Sequence, residues 1–171
     1  YDLWEDDRSA WVAMELVPGE SLRDVLAERG PLPYYDIEPI LTQSASALDK
    51  LHRSRMVHLD VKPANLIQMP DGTIKLIDFG LAQESHATQE LLHGMAYGSA
   101  AYLSPEQAAG EPVGPASDVY SLGCVIYELL TGRTPFEDPY RTRTSQEMLQ
   151  AHLSLQPDRP SDANREAGIP D

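Results

Sequence analysis

Asp60 and Asn65 stand close together in the segment His58-Leu59-Asp60-Val61-Lys62-Pro63-Ala64-Asn65, and a second acid, Asp78, opens Asp78-Phe79-Gly80 farther along. Two carboxylates and an amide around one cavity can arrange a divalent cation, nucleotide phosphates and an attacking hydroxyl, because hard oxygen ligands suit Mg²⁺. That chemistry is phosphoryl transfer. Asp-Phe-Gly alone says little, since a turn acid followed by an aromatic and a flexible Gly is common. The order and spacing of the whole set carry the reading.

Several elements must position these groups. Asn65 to Met69 and Thr73 to Ile77 flank Pro70-Asp71-Gly72, a turn sequence suited to joining two short strands. Such a hairpin would bring the polar ends on either side of it together. Upstream, Tyr1 to Trp4 and Ala10 to Val17 read as another hairpin across Glu5 to Ser9, and Pro18-Gly19 ends it. Ser21-Leu22-Arg23-Asp24 is a capping pattern for a short helix. A longer helix begins near Pro33 on the stripe Ile37, Ile40, Leu41, Ala45, Leu48 and Leu51, with Pro39 working against its first turns. Leu81 to Leu103 shows no period and reads as a long irregular loop. Ala116 to Thr131, with Val119, Leu122, Val125, Ile126, Leu129 and Leu130, reads as a buried helix ended by Gly132. One more helix is expected over about Ser145 to Leu153, then a polar, Pro-containing tail.

The chain has 171 residues, enough for most of one domain. Its 27 Asp and Glu against 13 Lys and Arg give a formal net charge of −14, which would repel nucleic-acid phosphates, so no nucleic-acid partner is expected. Cys124 is the only cysteine; it excludes an internal disulfide and fits a reducing, cytoplasmic setting. The apolar stretch from Leu122 to Leu130 is too short to span a membrane and contains Glu128, so no membrane segment is expected within the chain, although a parent protein could be anchored elsewhere.

With Ser104-Pro105-Glu106 and Asp118 added, the ordered set resembles the catalytic domain of bacterial-type serine/threonine protein kinases over nearly the whole chain. The resemblance implies an α+β, protein-kinase-like fold. Residues 1–17 would be a remnant of the smaller lobe's sheet and the hinge, and residues 18–171 the larger, mostly helical lobe, incomplete at its C-terminal end. It implies ATP and Mg²⁺, a protein substrate bearing Ser or Thr, Asp60 as proton acceptor, Asn65 and Asp78 as Mg²⁺ ligands, and Lys62 steadying the γ-phosphate. Lys two residues after Asp60 is similar to serine/threonine rather than tyrosine kinases. Ser99 falls where such kinases set a Ser or Thr near the substrate. Met14-Glu15-Leu16-Val17 resembles the hinge, with Glu15 and Val17 backbone groups at the adenine edge and Met14 behind. Ile67 and Ile77 read equally as walls of that pocket or as ordinary core. His58 is expected to pack against the Asp78 region, Asp118 to tie down the backbone of the Asp60 loop, and Glu106 to pair with an Arg beyond Asp171.

Two departures qualify the resemblance. The chain contains no Gly-rich phosphate loop, strand Lys or partner helix Glu, so by itself it is expected to be inactive. Leu59 replaces the Arg that often pairs with a phosphorylated loop, so phosphorylation at Ser85 or Thr88 is not expected to be the main switch. A pseudokinase scaffold is the alternative; retention of Asp60, Lys62, Asn65 and Asp78 argues against it. A metal-dependent hydrolase built on His58, Asp60 and Asp78 would leave the later motifs unexplained.

Overall fold

Ser21 ends an extended stretch and starts a helix in one residue. Its Oγ accepts the Asp24 N–H at 3.2 Å, satisfying a donor that the first helical turn leaves unpaired. In this computed structural model, which describes residues 2–5, 10–13, 15–78, 83–84 and 97–170, β1 (Asp2–Glu5) and β2 (Ala10–Ala13) form the expected antiparallel hairpin. β3 (Glu20–Ser21) leads into α1 (Leu22–Arg29), which Gly30 closes at φ 71° with its N–H on the Leu26 carbonyl.

α2 runs from Tyr34 to Arg53 and contains Pro39. The carbonyl opposite Pro39 is that of Tyr35, in the first turn, where the helix loses little by forgoing one bond. Its buried stripe is Ile37, Ile40, Ser44 and Leu48. Leu41, expected in that stripe, is 42% exposed, and Ala45 is exposed too, because the face rotates through Ser44 instead.

β4 (Met56–Val57) precedes the Asp60 loop, and a 3₁₀ turn at Pro63–Asn65 leads from that loop into β5 (Leu66–Gln68). β5 pairs antiparallel with β6 (Ile74–Leu76) in the register Leu66 opposite Leu76, and β3 adds to the other edge of β5. The Pro70-Asp71-Gly72 turn forms as expected: Gly72 has φ 83° and Asp71 Oδ1 accepts the Thr73 N–H at 2.9 Å. Gln43 of α2 clasps the same turn, donating to the Gly72 carbonyl at 3.2 Å and accepting the Ile74 N–H at 3.0 Å.

The stretch expected to be an irregular loop contains regular pieces. β7 (Gln83–Glu84) pairs with β4, and Tyr97–Tyr102 is 3₁₀-helical. α3 (Pro105–Ala109) follows, with Ser104 and Gln107 forming a reciprocal capping box. α4 (Pro115–Thr131) is the central buried helix, ended by Gly132 at φ 77°. Val119 departs from expectation at 61% exposed, while Ser117, Asp118 and Ser121 are buried in its place. The first half of α4 turns a polar face inward because the neighbouring loops supply partners for it. α5 (Ser145–Ser154) is capped by Thr144 and Glu147, and the tail holds α6 (Pro160–Ala163) and a 3₁₀ turn at Arg165–Ala167.

The core joins α1, α2, β5 and α4 through Leu22, Ile40, Leu48, Leu66, Val125 and Leu129, and α2 and α4 pack directly on each other. A smaller cluster of Val57, Leu59 and Val113 lies under the Asp60 loop. Leu129→Ala should therefore cost about 2–5 kcal/mol and Val119→Ala no more than ~0.5 kcal/mol in urea unfolding. Equal costs would contradict this burial pattern.

Candidate active site

Asp118 is wholly buried, and a buried carboxylate is tolerated only where donors replace its water. Here Oδ2 accepts the His58 N–H and Oδ1 the Leu59 N–H, both at 2.8 Å, while His52 Nε2 lies 2.7 Å from Oδ2. One side chain of α4 thus ties together the backbone of the Asp60 loop and the end of α2, as expected for Asp118. Leu59 is buried with φ 65°, a conformation that a branched side chain adopts only when held. Its carbonyl is held as well, by Gln107 Nε2 at 3.1 Å.

Asp60 follows directly. Its Oδ2 accepts from Lys62 Nζ at 2.6 Å and from Asn65 Nδ2 at 3.0 Å, and the same amide group reaches the Asp60 carbonyl at 2.8 Å. The Ile77 N–H donates to the Asn65 carbonyl at 2.9 Å, so the hairpin delivers Asp78 to the Asn65 end of the loop. His58, fully buried, contacts the Ile77 carbonyl through Nε2 at 3.2 Å, which matches its expected packing toward Asp78. Burial pushes its pKa below the usual imidazole value, against the pull of that carbonyl and of Asp118, Asp60 and Asp78. Asp60, Lys62, Asn65 and Asp78 therefore gather at one end of the β5–β6 hairpin. Asp78 is exposed and itself has φ 63°.

Of the expected hinge residues, Glu15 is exposed with its carboxylate paired to Lys75 of β6, and Val17 is half-buried. Ile67 and Ile77 are also half-buried. Met14, Phe79, Gly80, Ser85 and Thr88 lie outside the described residues, as does the side chain of Ser99; the Ser99 backbone belongs to the 97–102 turn.

Around that turn the structure reveals groups that the sequence reading missed. Tyr102 Oη donates to Glu128 Oε2 at 2.7 Å, and burial raises the Glu128 pKa despite this bond, with Glu137 adding repulsion. A cavity of about 570 Å³ opens beside Tyr102 and Glu137. Glu106, named from the sequence for an Arg partner, here accepts from Ser117 Oγ at 2.5 Å. His152 of α5 is buried against Tyr120 and Phe136. Gln107 alone had a readable signal, the Ser104-x-x-Gln107 capping pattern. Cys124 is buried and its thiol pushed up to about 12, so it behaves as a small apolar side chain.

Residues 1–168 match the protein kinase domain. The chain belongs to the protein kinase domain family. It is 46% identical over 136 residues to the serine/threonine-protein kinase PknL of Mycobacterium tuberculosis, covering 80% of this chain and 34% of that protein. It is 45% identical over 126 residues to PknA of Corynebacterium glutamicum, covering 74% and 27%, and 44% identical over 131 residues to PknA of Mycobacterium tuberculosis, covering 77% and 30%. The chain thus spans about a third of the length of these kinases. Among its described residues no helix is long and apolar enough to cross a membrane.

Asp118→Asn keeps one acceptor oxygen and sets an amide N–H₂ against the other backbone donor of the pair in this kinase domain. It should cost on the order of 3 kcal/mol in urea unfolding and speed amide exchange at His58 and Leu59. Unchanged exchange at those two amides would show that the loop is held by something else. Burial lowers the His152 pKa from 6.5 to about 4, so unfolding takes up a proton below about pH 6.5. The stability given by the neutral ring is complete above that pH and lost as pH falls toward 4. Wild type should lose melting temperature relative to His152→Leu between pH 7 and 4.5; parallel curves would contradict the buried neutral ring.

Proposed function

We propose that this chain forms the larger-lobe half of a serine/threonine protein kinase centre, moving the γ-phosphoryl group of ATP to a Ser or Thr hydroxyl of a protein. The observation that carries this reading is the Asp60 carboxylate, aligned by Lys62 and Asn65 on a loop that Asp118 fixes from beneath. Asp60 orients the acceptor hydroxyl and takes its proton as the new O–P bond forms and the β–γ bridge breaks to release ADP. Lys62 has three N–H donors, so it can keep its contact with Asp60 and still meet the γ-phosphate.

The residues present fit Mg²⁺. Asn65 commits Nδ2 to Asp60, which leaves its amide oxygen for a cation, and Asp78 supplies a carboxylate from the hairpin's end. Among the described residues there is no cluster of three or more His, Cys, Asp or Glu that could cage a metal, which suits an ion held by one or two protein oxygens plus phosphates and water. When bound, Mg²⁺ would neutralise charge on the triphosphate.

In this reading residues 1–17 are the edge of the smaller lobe with the hinge, 18–171 belong to the larger lobe, and Glu15 and Val17 offer backbone groups to adenine. Met14 closes the back of that pocket, Ile67 and Ile77 line it, and Ser99 lies where the acceptor approaches. In this reading ATP as donor and the lone, free Cys124 support a cytoplasmic site.

In the full-length protein that carries this chain, Asp60→Asn should lower phosphate transfer to a protein acceptor about 10²–10⁴-fold while nucleotide still binds. Undiminished transfer would sink the assignment. Residues 1–171 alone should give no transfer above background, since they lack a phosphate-covering loop; turnover that Asp60→Asn abolishes would reject that expectation.

A further inference from the structure

His152 is a buried imidazole on α5, a helix packed against α3 and the 97–102 turn. It is 4% exposed and enclosed by three other segments. Tyr120 of α4 places Oη 2.9 Å from Nδ1 and meets the ring edge-on at 5.7 Å between centroids. Phe136, from the connection between α4 and α5, meets it edge-on at 4.8 Å. α5 packs against the 97–102 turn, the backbone of Ala100 and Ala101 favours a proton on the ring, and Nε2 has no hydrogen-bond partner among the described residues.

The tautomer follows from these partners. Burial holds the ring neutral and also holds the Tyr120 hydroxyl protonated, so one nitrogen carries hydrogen and the other does not. With Nδ1 facing the Tyr120 hydroxyl, the Nε2–H form lets Tyr120 donate to Nδ1 and turns the ring's own N–H away from it. A buried N–H short of its acceptor leaves an unmet demand, which a small shift of the 97–102 backbone toward the ring would satisfy.

We infer that His152 is a positioning residue for the protein acceptor: carried by α5 and wedged between α4, Phe136 and the 97–102 segment, its ring sets the seat of that segment, which carries Ser99, relative to Asp60. The inference rests on the kinase reading for its effect on catalysis, though not for its effect on the segment itself. Because the ring's partners among the described residues are Tyr120, Phe136 and the 100–101 backbone, the consequence falls on acceptor binding and not on ATP.

The test compares wild type, His152→Leu, His152→Gln and Tyr120→Phe in the full-length protein. Leu fills the space without an N–H, Gln restores an N–H near the Nε2 position, and Phe removes only the hydroxyl that orients the ring, which keeps the test alive should His152→Leu fail to fold. Two readouts are taken: amide exchange across residues 100–103, and steady-state kinetics with ATP and dephosphorylated casein. Exchange should rise about tenfold in His152→Leu, less in Tyr120→Phe, and return toward wild type in His152→Gln. The KM for casein should rise about tenfold in His152→Leu with the KM for ATP unchanged. Unaltered exchange overturns the inference whatever the kinetics. Faster exchange with an unaltered casein KM in an active protein also overturns it. A wild type without Asp60-dependent transfer instead sinks the kinase reading and the acceptor half of this inference with it, an outcome that the exchange data tell apart from the other two.

Discussion

Everything at the Asp60 end of this chain depends on one buried carboxylate meeting two peptide N–H groups. Asp118 is worth burying only because His58 and Leu59 turn their amides toward it, and those amides can turn only if Leu59 takes a left-handed conformation. Gln107 grips the carbonyl of the same residue from the opposite side. With both peptide groups of Leu59 engaged, the direction in which Asp60 leaves the loop is set by α3 and α4 together. The strain at Leu59 is thereby maintained by partners from two helices, and the apolar cluster of Val57, Leu59 and Val113 seals the loop from below.

α4 divides its work along its length. Its second half contributes Val125, Leu129 and Leu130 to the main core. Its first half instead buries Ser117, Asp118 and Ser121, each with a hydrogen-bond partner: Ser117 donates to Glu106, Asp118 holds the loop, and Ser121 donates to the Ser117 carbonyl of its own helix. Ser117 gives Glu106 a partner inside the chain, where family resemblance pointed to a more distant Arg. That ties α3, the closing element of the segment before it, to the helix that also anchors Asp60.

The sequence conveyed local rules faithfully and long-range partnerships poorly. Both hairpins, the Ser21 cap, the Gly132 stop and the gathering of Asp60, Asn65 and Asp78 follow from turn chemistry, capping and motif order, all of which act over a few residues. Val119 and Leu41 show where periodicity fails: an apolar residue beside a buried stripe is counted as part of it, although the true face runs through Ser44 in α2 and Ser117, Asp118 and Ser121 in α4. Polar residues are buried there because of partners far away in sequence, which no window along the chain can see. His152 and Glu128 were missed for the same reason, since a histidine or glutamate on a helix looks like solvent-facing decoration until its neighbours are known. The strand at Gln83–Glu84 was missed because two residues carry no period.

The Gln43 clasp has a mechanical corollary. By gripping both the carbonyl of Gly72 and the amide of Ile74, a single side chain of α2 bolts the tip of the hairpin to the helix whose far end meets Asp118 through His52. The groups proposed to face nucleotide, Asn65 and Asp78, ride on that hairpin and so share one rigid chassis with α2. The turn beside His152 hangs from α4 and α5 instead. α4 is the element common to both, since its Asp118 meets His52 and the Asp60 loop while its Tyr120 meets His152.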